Sequence, residues 1–268
     1  MLTTDFTHGA PVWVDLEAPV VDDAVAFYRA VLDWEFRDLG AEAMHYHICS
    51  AGGRSVAAIG PGPDPAAAGG WKLYFHTEDV DATTKAVEQA GGSVLVPPGD
   101  VGPMGRMAVL ADPAGARFAL WQPGTVPGLE RVSEPGSLTW TELYTTDPAA
   151  VRRFYSTVFD WEFTDHEMPG LPGGGTYTVM SRAGKGSVEE RTIGGIVPIV
   201  PEMASAGVTP LWQLYFAVAD CDATVATARR HGAALVRPAM TVEGVGRWAH
   251  LTDPSGARFS VISEAPAG

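Results

Sequence analysis

The chain has 268 residues, 46% of them hydrophobic, a length that favours one large or two modest domains. Asp and Glu number 32 against 18 Lys and Arg, giving a net charge of −14 with no basic cluster, which argues against nucleic acid as a partner. The sequence has no membrane-length apolar run, no secretory signal and only two cysteines, so it predicts a cytoplasmic protein with no membrane contact and no disulfide scaffold.

The first segments of the chain have the pattern of a strand, a helix and further strands. Trp13–Glu17 alternates as a short strand, and Asp22–Leu32 has helical spacing behind an acidic start. His45–Ser50 and Ser55–Ile59 have the composition of strands. This order predicts a βαβββ module.

The next segments repeat that order. Lys72–Thr77 is typical of a strand, and Asp81–Ala90 of a helix that ends at Gly91 and Gly92. The turn Asp112-Pro113-Ala114-Gly115 joins the last two strands. The remaining strand-like segments are Val94–Pro97, Arg106–Ala111 and Arg117–Gln122. We therefore expect two modules in this half of the chain.

The second half of the chain repeats the first. Trp13–Phe36 and Trp140–Phe163, at an offset of 127, share 9 of 24 residues. Trp71–Trp121 and Trp212–Ile262, at an offset of 141, share 21 of 51. The change in offset indicates about 14 inserted residues, in a region that holds GLPGGG (170–175) and AGKGSVEER (183–191), both typical of loops.

The boundary between the copies falls in QPGTVPGLERVSEPGS (122–137), whose prolines and glycines are typical of an exposed linker. The sequence thus predicts a first domain at residues 1–123, a linker at 124–136 and a second domain at 137–268. Because the repeat supplies paired domains within one chain, we expect a monomer, with a homodimer as the alternative.

Three motifs recur in both copies: FY followed by DWEF at the end of the first helix, D-x-DA at the start of the second, and DP-x-GARF in the last hairpin. Together they resemble the glyoxalase, bleomycin-resistance and extradiol-dioxygenase superfamily, also called vicinal oxygen chelate proteins. The closest likeness within it is to tandem-domain actinobacterial proteins labelled hydroxylases. The resemblance implies an α+β fold, with two βαβββ modules per domain forming a cupped, eight-stranded mixed sheet that has helices on its convex side and a ligand on its concave side.

Metal-dependent members of that superfamily place His, Gln or Glu at three inward strand positions. Counted from the loop and turn aspartates, these positions hold Trp13, Lys72 and Ala119 in the first copy and Trp140, Gln213 and Ser260 in the second. A divalent ion needs about three converging N, O or S ligands, which neither set supplies. The sequence predicts no metal and, lacking a dinucleotide fingerprint, no other cofactor. Glyoxalase and ring-cleaving chemistry are therefore disfavoured.

Alternate residues of a strand share a face, so the residues two and four positions from these sites also point into the cup. The candidate acids and bases are Asp15, Glu17, Tyr74 and His76 in the first copy and Glu142, Tyr215 and His250 in the second. The candidate ligand-binding residues are Trp13, Lys72, Met107, Trp140, Tyr144, Trp212, Gln213 and Trp248.

Each candidate has a structural alternative. Asp15 and Glu142 suit a structural hydrogen bond as well as a catalytic role, and His250 suits a strand histidine bonded to a neighbour. The tryptophans suit the core, and the pair His45 and His47 suits a solvated strand face. The residues interpreted as core are Phe27, Tyr28, Phe154 and Tyr155, and those interpreted as turn residues only are Asp112, Gly115, Asp253 and Gly256.

The preferred interpretation is a metal-independent tailoring enzyme that acts on a hydrophobic, oxygenated aromatic small molecule, such as a polyketide intermediate, by dehydration, cyclisation or isomerisation. Two alternatives remain: a non-catalytic protein that sequesters an antibiotic, whose often cationic ligand suits the net charge of −14, and a hydroxylase or oxygenase. The second domain is expected to be the more functional one, with the glycine-rich stretch of its insertion as a lid.

Overall fold

The computed structural model describes residues 2–62, 64, 66–168, 175–184 and 187–264. The fold is α+β, with two eight-stranded mixed sheets. The first half contains the strands β1 (Pro11–Ala18), β2 (Glu35–Asp38), β3 (His47–Ala51), β4 (Arg54–Pro61), β5 (Gly70–His76), β6 (Ser93–Val101), β7 (Gly105–Ala111) and β8 (Arg117–Pro123), and the helices α1 (Val21–Leu32) and α2 (Val80–Gln89).

The second half has the same order of elements with two short helices added. Its strands are β9 (Leu138–Thr145), β10 (Glu162–Met168), β11 (Gly175–Ser181), β12 (Thr192–Pro198), β13 (Leu211–Ala217), β14 (Ala234–Val242), β15 (Gly246–Thr252) and β16 (Arg258–Ser263), and its helices are α3 (Pro148–Phe159), α4 (Val188–Arg191), α5 (Pro201–Ser205) and α6 (Cys221–Arg230).

The strand order is β2-β3-β4-β1-β5-β8-β7-β6 in the first sheet and β10-β11-β12-β9-β13-β16-β15-β14 in the second. In every module the first strand runs parallel to the last, whereas the hairpin pairs are antiparallel. Parallel pairing requires a crossover, which the helix of each module contributes to. The βαβββ modules and the α+β class predicted from the sequence are confirmed.

The compact units of the molecule do not coincide with the halves of the sequence. One unit comprises Met1–Trp13, Leu73–Gly128 and Trp140–Gln213, and the other comprises Val14–Lys72, Leu129–Thr139 and Leu214–Gly268. Each unit therefore contains one βαβββ module from each half. The domain boundaries expected from the repeat, near residues 123 and 137, stay a prediction.

A buried hydrogen-bond chain joins the two modules within each unit. In one unit, the indole N–H of Trp71 donates to the Tyr28 hydroxyl over 3.0 Å, and that hydroxyl donates to Oδ2 of Asp253 over 3.1 Å. Each chain links residues of both halves of the sequence. The equivalent chain in the other unit runs from Trp212 to Tyr155 over 3.2 Å and from Tyr155 to Asp112 over 3.3 Å.

The aromatic residues expected in the core lie there: Phe27, Tyr28, Phe154 and Tyr155 are at most 3% exposed. Trp212, a candidate ligand-binding residue, is also buried, and its ring packs edge-on against Tyr155. Trp212 lies one residue before Gln213 on β13, so the two side chains face opposite sides of the strand.

The turn aspartates do more than the sequence predicted. One carboxylate oxygen of Asp112 accepts the backbone N–H groups of Ala114 and Ala116, as a tight turn requires. Its second oxygen accepts the hydroxyl of Tyr155, and Asp253 behaves in the same way. A carboxylate has two acceptor oxygens, so one side chain can both close a turn and contact a neighbouring module.

Several boundaries differ from those expected. Strand β2 was not predicted, because four residues with one half-buried apolar side chain carry little periodicity. Strand β6 continues past Pro97 and Pro98 to Val101, since it lies at a sheet edge and contains irregular pairing where a missing N–H is tolerated. The helix α4 lies within AGKGSVEER, which was expected to be a loop, and the helix α5 was not predicted.

The lid expected at GLPGGG lies outside the described residues, apart from Gly175, which begins β11. In AGKGSVEER, residues 185 and 186 also lie outside them. Among the helices within the described ranges, none is long and apolar enough to cross a membrane.

Candidate functional site

Three polar side chains share one face of the last module of the second sheet. Ser260 pairs with Tyr215 on β13 and with His250 on β15, so the three point the same way. Nδ1 of His250 lies 3.0 Å from the Ser260 hydroxyl oxygen, and Nε2 lies 3.4 Å from the Tyr215 hydroxyl oxygen. The ring of Trp248 stands edge-on to that of His250 at 4.7 Å. All but Trp248 are buried.

Burial determines the protonation of His250. Burial, and secondly the positive charges of Arg237 and Arg258, lower the pKa of His250 to about 3. The imidazole is therefore neutral near pH 7, with one nitrogen donating and the other accepting. Because a base of such low pKa accepts a proton poorly near neutrality, this environment favours a hydrogen-bonding role for His250.

A second polar group lies on the first module of the same sheet. The Tyr177 hydroxyl donates to Oε1 of Glu142 over 3.0 Å and accepts the indole N–H of Trp140 over 2.9 Å. Glu142, Tyr177 and Trp140 are all half-buried, as is Tyr144, two residues beyond Glu142 on β9. This Trp140–Tyr177–Glu142 chain therefore holds a partly accessible carboxylate between aromatic side chains.

The local sequence creates the space that Tyr177 occupies. A Cβ atom at Gly195 would lie 2.1 Å from the Tyr177 hydroxyl oxygen, so position 195 has no room for a side chain. Burial, and then the charge of Glu142, raise the pKa of Tyr177 well above its ordinary value. The phenol thus stays protonated and remains a donor to the carboxylate.

The first sheet carries a related group on its first module. The Tyr46 hydroxyl donates to Oδ2 of Asp15 over 3.1 Å. The Lys72 ammonium lies 2.6 Å from Oε1 of Glu17 and 3.5 Å from Oδ1 of Asp15, and the Lys72 side chain is 11% exposed. Burial alone would lower the pKa of Lys72, but Asp15 and Glu17 outweigh it and raise that pKa. Lys72 is therefore a bound cation and not a free amine nucleophile.

Tyr46 and Tyr177 occupy equivalent positions. Along β3, Ile48 pairs with Ala58, which in turn pairs with Asp15. Along β11, Val179 pairs with Gly195, which pairs with Glu142. Tyr46 lies two positions before Ile48, and Tyr177 lies two positions before Val179. Each sheet therefore holds a phenol–carboxylate pair.

The other candidates have the following positions. Trp13, Tyr74 and Gln213 are buried, with exposures of 8%, 4% and 3%. His76 and Met107 are half-buried. Burial, and then the charge of His8, lower the pKa of His76, so this histidine is also biased toward its neutral form.

Two family models match the chain. The Glyoxalase/Bleomycin resistance protein/Dioxygenase superfamily model matches residues 12–120, and a glyoxalase-like domain model matches residues 140–262. The chain belongs to the glyoxalase/bleomycin resistance/dioxygenase superfamily. Both halves of the sequence are therefore domains of this superfamily.

Two relatives of the superfamily align with nearly the whole chain. The anthracycline biosynthesis protein DnrV of Streptomyces peucetius is 39% identical, over 97% of this chain and 94% of DnrV. A protein named as a glyoxylase, CFP32 of Mycobacterium tuberculosis (strain CDC 1551 / Oshkosh), is 35% identical, over 98% of each chain. Each alignment therefore spans both copies of the repeat in this chain.

Solved structures share the fold at low sequence identity. The 2,3-dioxygenase LapB of Pseudomonas sp. KL28 has a TM-score of 0.65 at 15% identity, over 97% of this chain and 94% of LapB. The Mn(II)-bound glyoxalase of Novosphingobium aromaticivorans has a TM-score of 0.63 at 17% identity, over 96% of this chain and 83% of that enzyme. At such identities the likeness is one of fold alone.

The divalent ion of metal-dependent superfamily members does not fit this chain. The Trp140 indole nitrogen is a donor, occupied by Tyr177, and the Ser260 hydroxyl contacts His250. In the first sheet, Ala119 offers no donor atom and Lys72 is an ion-paired cation. Within the described ranges, no group of three or more His, Cys, Asp or Glu side chains is arranged to hold a metal ion.

Three residues at these groups were not predicted from the sequence: Tyr46, Tyr177 and Arg237. The two tyrosines are 131 residues apart, whereas the aligned segments of the repeat have offsets of 127 and 141, so neither alignment matches Tyr46 to Tyr177. Arg237 aligns with Val96 at the offset of 141, and this exchange of valine for arginine at an alternating strand position was the signal available.

Proposed function

We propose that this protein is a metal-independent tailoring enzyme that carries out a proton-transfer step, such as a dehydration, cyclisation or isomerisation, on a hydrophobic, oxygenated aromatic small molecule. DnrV is named for anthracycline biosynthesis. So is a further relative, DauV of Streptomyces sp. (strain C5), which is 37% identical to this chain. An anthracycline is a polycyclic, oxygenated aromatic compound. These relatives support a ligand of that class.

The observation that carries the proposal is the carboxylate of Glu142. A general base must be ionised, accessible and held in a fixed direction. Glu142 is half-buried, and Oε1 is held by a phenol that stays protonated. The carboxylate takes a proton from a carbon next to a substrate carbonyl and returns it to another atom of the same molecule, so that isomerisation needs no outside reactant.

The aromatic side chains beside Glu142 suit the proposed ligand. Trp140 and Tyr144 lie two residues before and after Glu142 on β9, so the three share a face of the strand. Both aromatic side chains are half-buried. A planar aromatic ligand can stack on such surfaces while its oxygen substituents reach the carboxylate.

Deuterium exchange tests the proposal. The full chain is incubated in D2O with 2-tetralone, an aromatic ketone with acidic α protons, and loss of the α-proton signal is followed by NMR. We expect enzyme-dependent exchange, which Glu142→Gln slows about 10²- to 10⁴-fold. Glu167→Gln, an exposed carboxylate on β10 of the same sheet, is the matched control and should exchange at the wild-type rate.

Two outcomes would contradict the proposal. In a parallel assay the chain is mixed with 1,4-dihydroxyanthraquinone, and the ligand is recovered and analysed by mass spectrometry. Tight binding with no exchange of the ketone and an unchanged quinone would favour a sequestering protein. Exchange that survives Glu142→Gln but is lost in Asp15→Asn would move the base to the first sheet.

A further inference from the structure

The last module of the second sheet carries a positively charged aromatic surface at positions that are apolar in the first sheet. The guanidinium carbon of Arg237 on β14 lies 5.1 Å from the centre of the Trp248 ring. Arg237 pairs with His250 across the β14–β15 ladder and therefore faces the same side. Arg237 and Trp248 are half-buried, which leaves both within reach of a ligand.

Arg237 has no acidic partner in this part of the chain. Among the described residues, no carboxylate lies within ion-pair distance of its guanidinium. Stacking on Trp248 occupies a face of the guanidinium and leaves the N–H groups at its edge directed away from the ring. Arg258 adds a second cation close enough to affect the His250 ring. On a chain with a net charge of −14, this is a local excess of positive charge.

The first sheet shows that the fold does not require these residues. Its pairings have the same register, with Val96 opposite Val109 where Arg237 is opposite His250. Val109 is opposite Ala119 where His250 is opposite Ser260. The full set of equivalent residues, at an offset of 141, is Val96 and Arg237, Met107 and Trp248, Val109 and His250, and Ala119 and Ser260. An apolar set thus builds the same module.

We infer that Arg237, Trp248 and His250 form a binding site for the carboxylate of an aromatic ligand. The guanidinium edge matches a carboxylate with two parallel hydrogen bonds, and the indole supplies a surface for the ring that bears it. The neutral His250 leaves the charge of Arg237 as the attraction for an anion. The site binds its ligand whether or not Glu142 acts as a base, so the two proposals stand separately.

A comparison of three naphthalene probes of similar size and different charge tests the site. The dissociation constants of 2-naphthoate, 2-naphthamide and 2-naphthylmethylammonium are measured on the full chain by isothermal titration calorimetry at pH 7. We expect 2-naphthoate to bind about 10- to 100-fold more tightly than the neutral amide, from one charge-assisted pair. The cationic probe should bind more weakly than the amide.

Substitution of Arg237 assigns the effect. Arg237→Gln should reduce the affinity for 2-naphthoate to that for 2-naphthamide, whereas Arg237→Lys should retain part of the preference through its charge. Arg117→Gln, an exposed arginine on β8, is the matched control and should keep the wild-type preference. Far-UV circular dichroism and melting temperature establish that the variants fold.

The inference is overturned by any of four results. One is equal affinity of the wild-type chain for 2-naphthoate and 2-naphthamide, or no measurable binding of either. Another is a preference for 2-naphthoate that Arg237→Gln leaves intact. The third is tightest binding of the cationic probe. Displacement of 2-naphthoate by equimolar inorganic phosphate would reassign the site to phosphate.

Discussion

Removal of one hydroxyl should test how the two modules of each unit are joined. In Tyr28→Phe, the Asp253 carboxylate loses a donor and the Trp71 N–H loses its acceptor, both in a region where Tyr28 is 0% exposed. A hydrogen bond to a charged group contributes about 1.5–3 kcal/mol, and a buried N–H without an acceptor costs about 1–3 kcal/mol. Allowing for relaxation, we expect the free energy of unfolding to fall by about 2–5 kcal/mol.

Tyr155→Phe is the matched variant in the other unit. It removes the two equivalent hydrogen bonds, which measure 3.3 Å from Tyr155 to Asp112 and 3.2 Å from Trp212 to Tyr155. We therefore expect a loss of stability in the same range as that of Tyr28→Phe. For a chain of this size, about 2–4 °C of melting temperature is lost per kcal/mol, so we expect the melting temperature of each variant to fall by roughly 4–20 °C.

Urea unfolding followed by far-UV circular dichroism and tryptophan fluorescence measures these changes. Tyr46→Phe is the control: Tyr46 is half-buried, so water can replace its hydroxyl, and we expect a loss below about 1 kcal/mol. Stabilities of Tyr28→Phe and Tyr155→Phe within about 0.5 kcal/mol of the wild-type value would refute the role assigned to these chains.

Three further predictions concern the candidate site. The pKa of His250 is about 3 in the folded chain, against about 6.5 unfolded, so the free energy of unfolding should fall by up to about 1.4 kcal/mol per pH unit as the pH decreases below 6.5. Urea unfolding from pH 7 to 5 should show a flatter pH dependence in His250→Asn, and an equal slope would contradict this prediction. Gly195→Ala should displace the Tyr177 phenol and slow the 2-tetralone exchange about 10-fold. Gly60→Ala, a change beside Tyr46, is the control and should leave the exchange rate unchanged. Equal exchange rates in the two variants would show that the Tyr177 phenol does not position the base. Added Zn²⁺, Mn²⁺ or Ni²⁺ should neither bind stoichiometrically in a calorimetric titration nor raise the exchange rate. If each domain held one ion tightly and the exchange reaction required it, the metal-independent interpretation would be wrong.

Much of the local structure could be predicted from the sequence. The helix predicted at Asp81–Ala90 lies at Val80–Gln89, and the Asp79 side chain caps it by accepting the backbone N–H of Ala82 over 2.9 Å. Strand parity placed Tyr215 and His250 on one face, and the register with Ser260 agrees with it. Such features depend on residues close in sequence or on strict alternation.

The pairing of modules could not be predicted in this way. Both halves carry the same FY and DWEF motifs, so each half looks able to complete its own core. Phe27 nevertheless packs edge-on against Phe259, 232 residues away, at 5.9 Å. Periodicity identifies a buried face but does not identify what covers it.

The acid–base properties of the candidates were equally hidden. Parity places His250 on a face, but its low pKa comes from burial and from arginines on β14 and β16. Tyr177 lies two positions before Val179, and only the pairing of Val179 with Gly195, and of Gly195 with Glu142, relates Tyr177 to that carboxylate. Properties that arise between strands need the three-dimensional neighbours.

The exchange of modules between halves has an evolutionary consequence. A chain of one half alone would expose the face of Phe27 and Tyr28, and could cover it only by associating with an identical copy. In such a homodimer, a mutation that placed histidine at the position of Val109 would appear in both subunits. Covalent linkage of two copies removes that constraint, so one copy can carry Arg237 and His250 while its counterpart keeps Val96 and Val109.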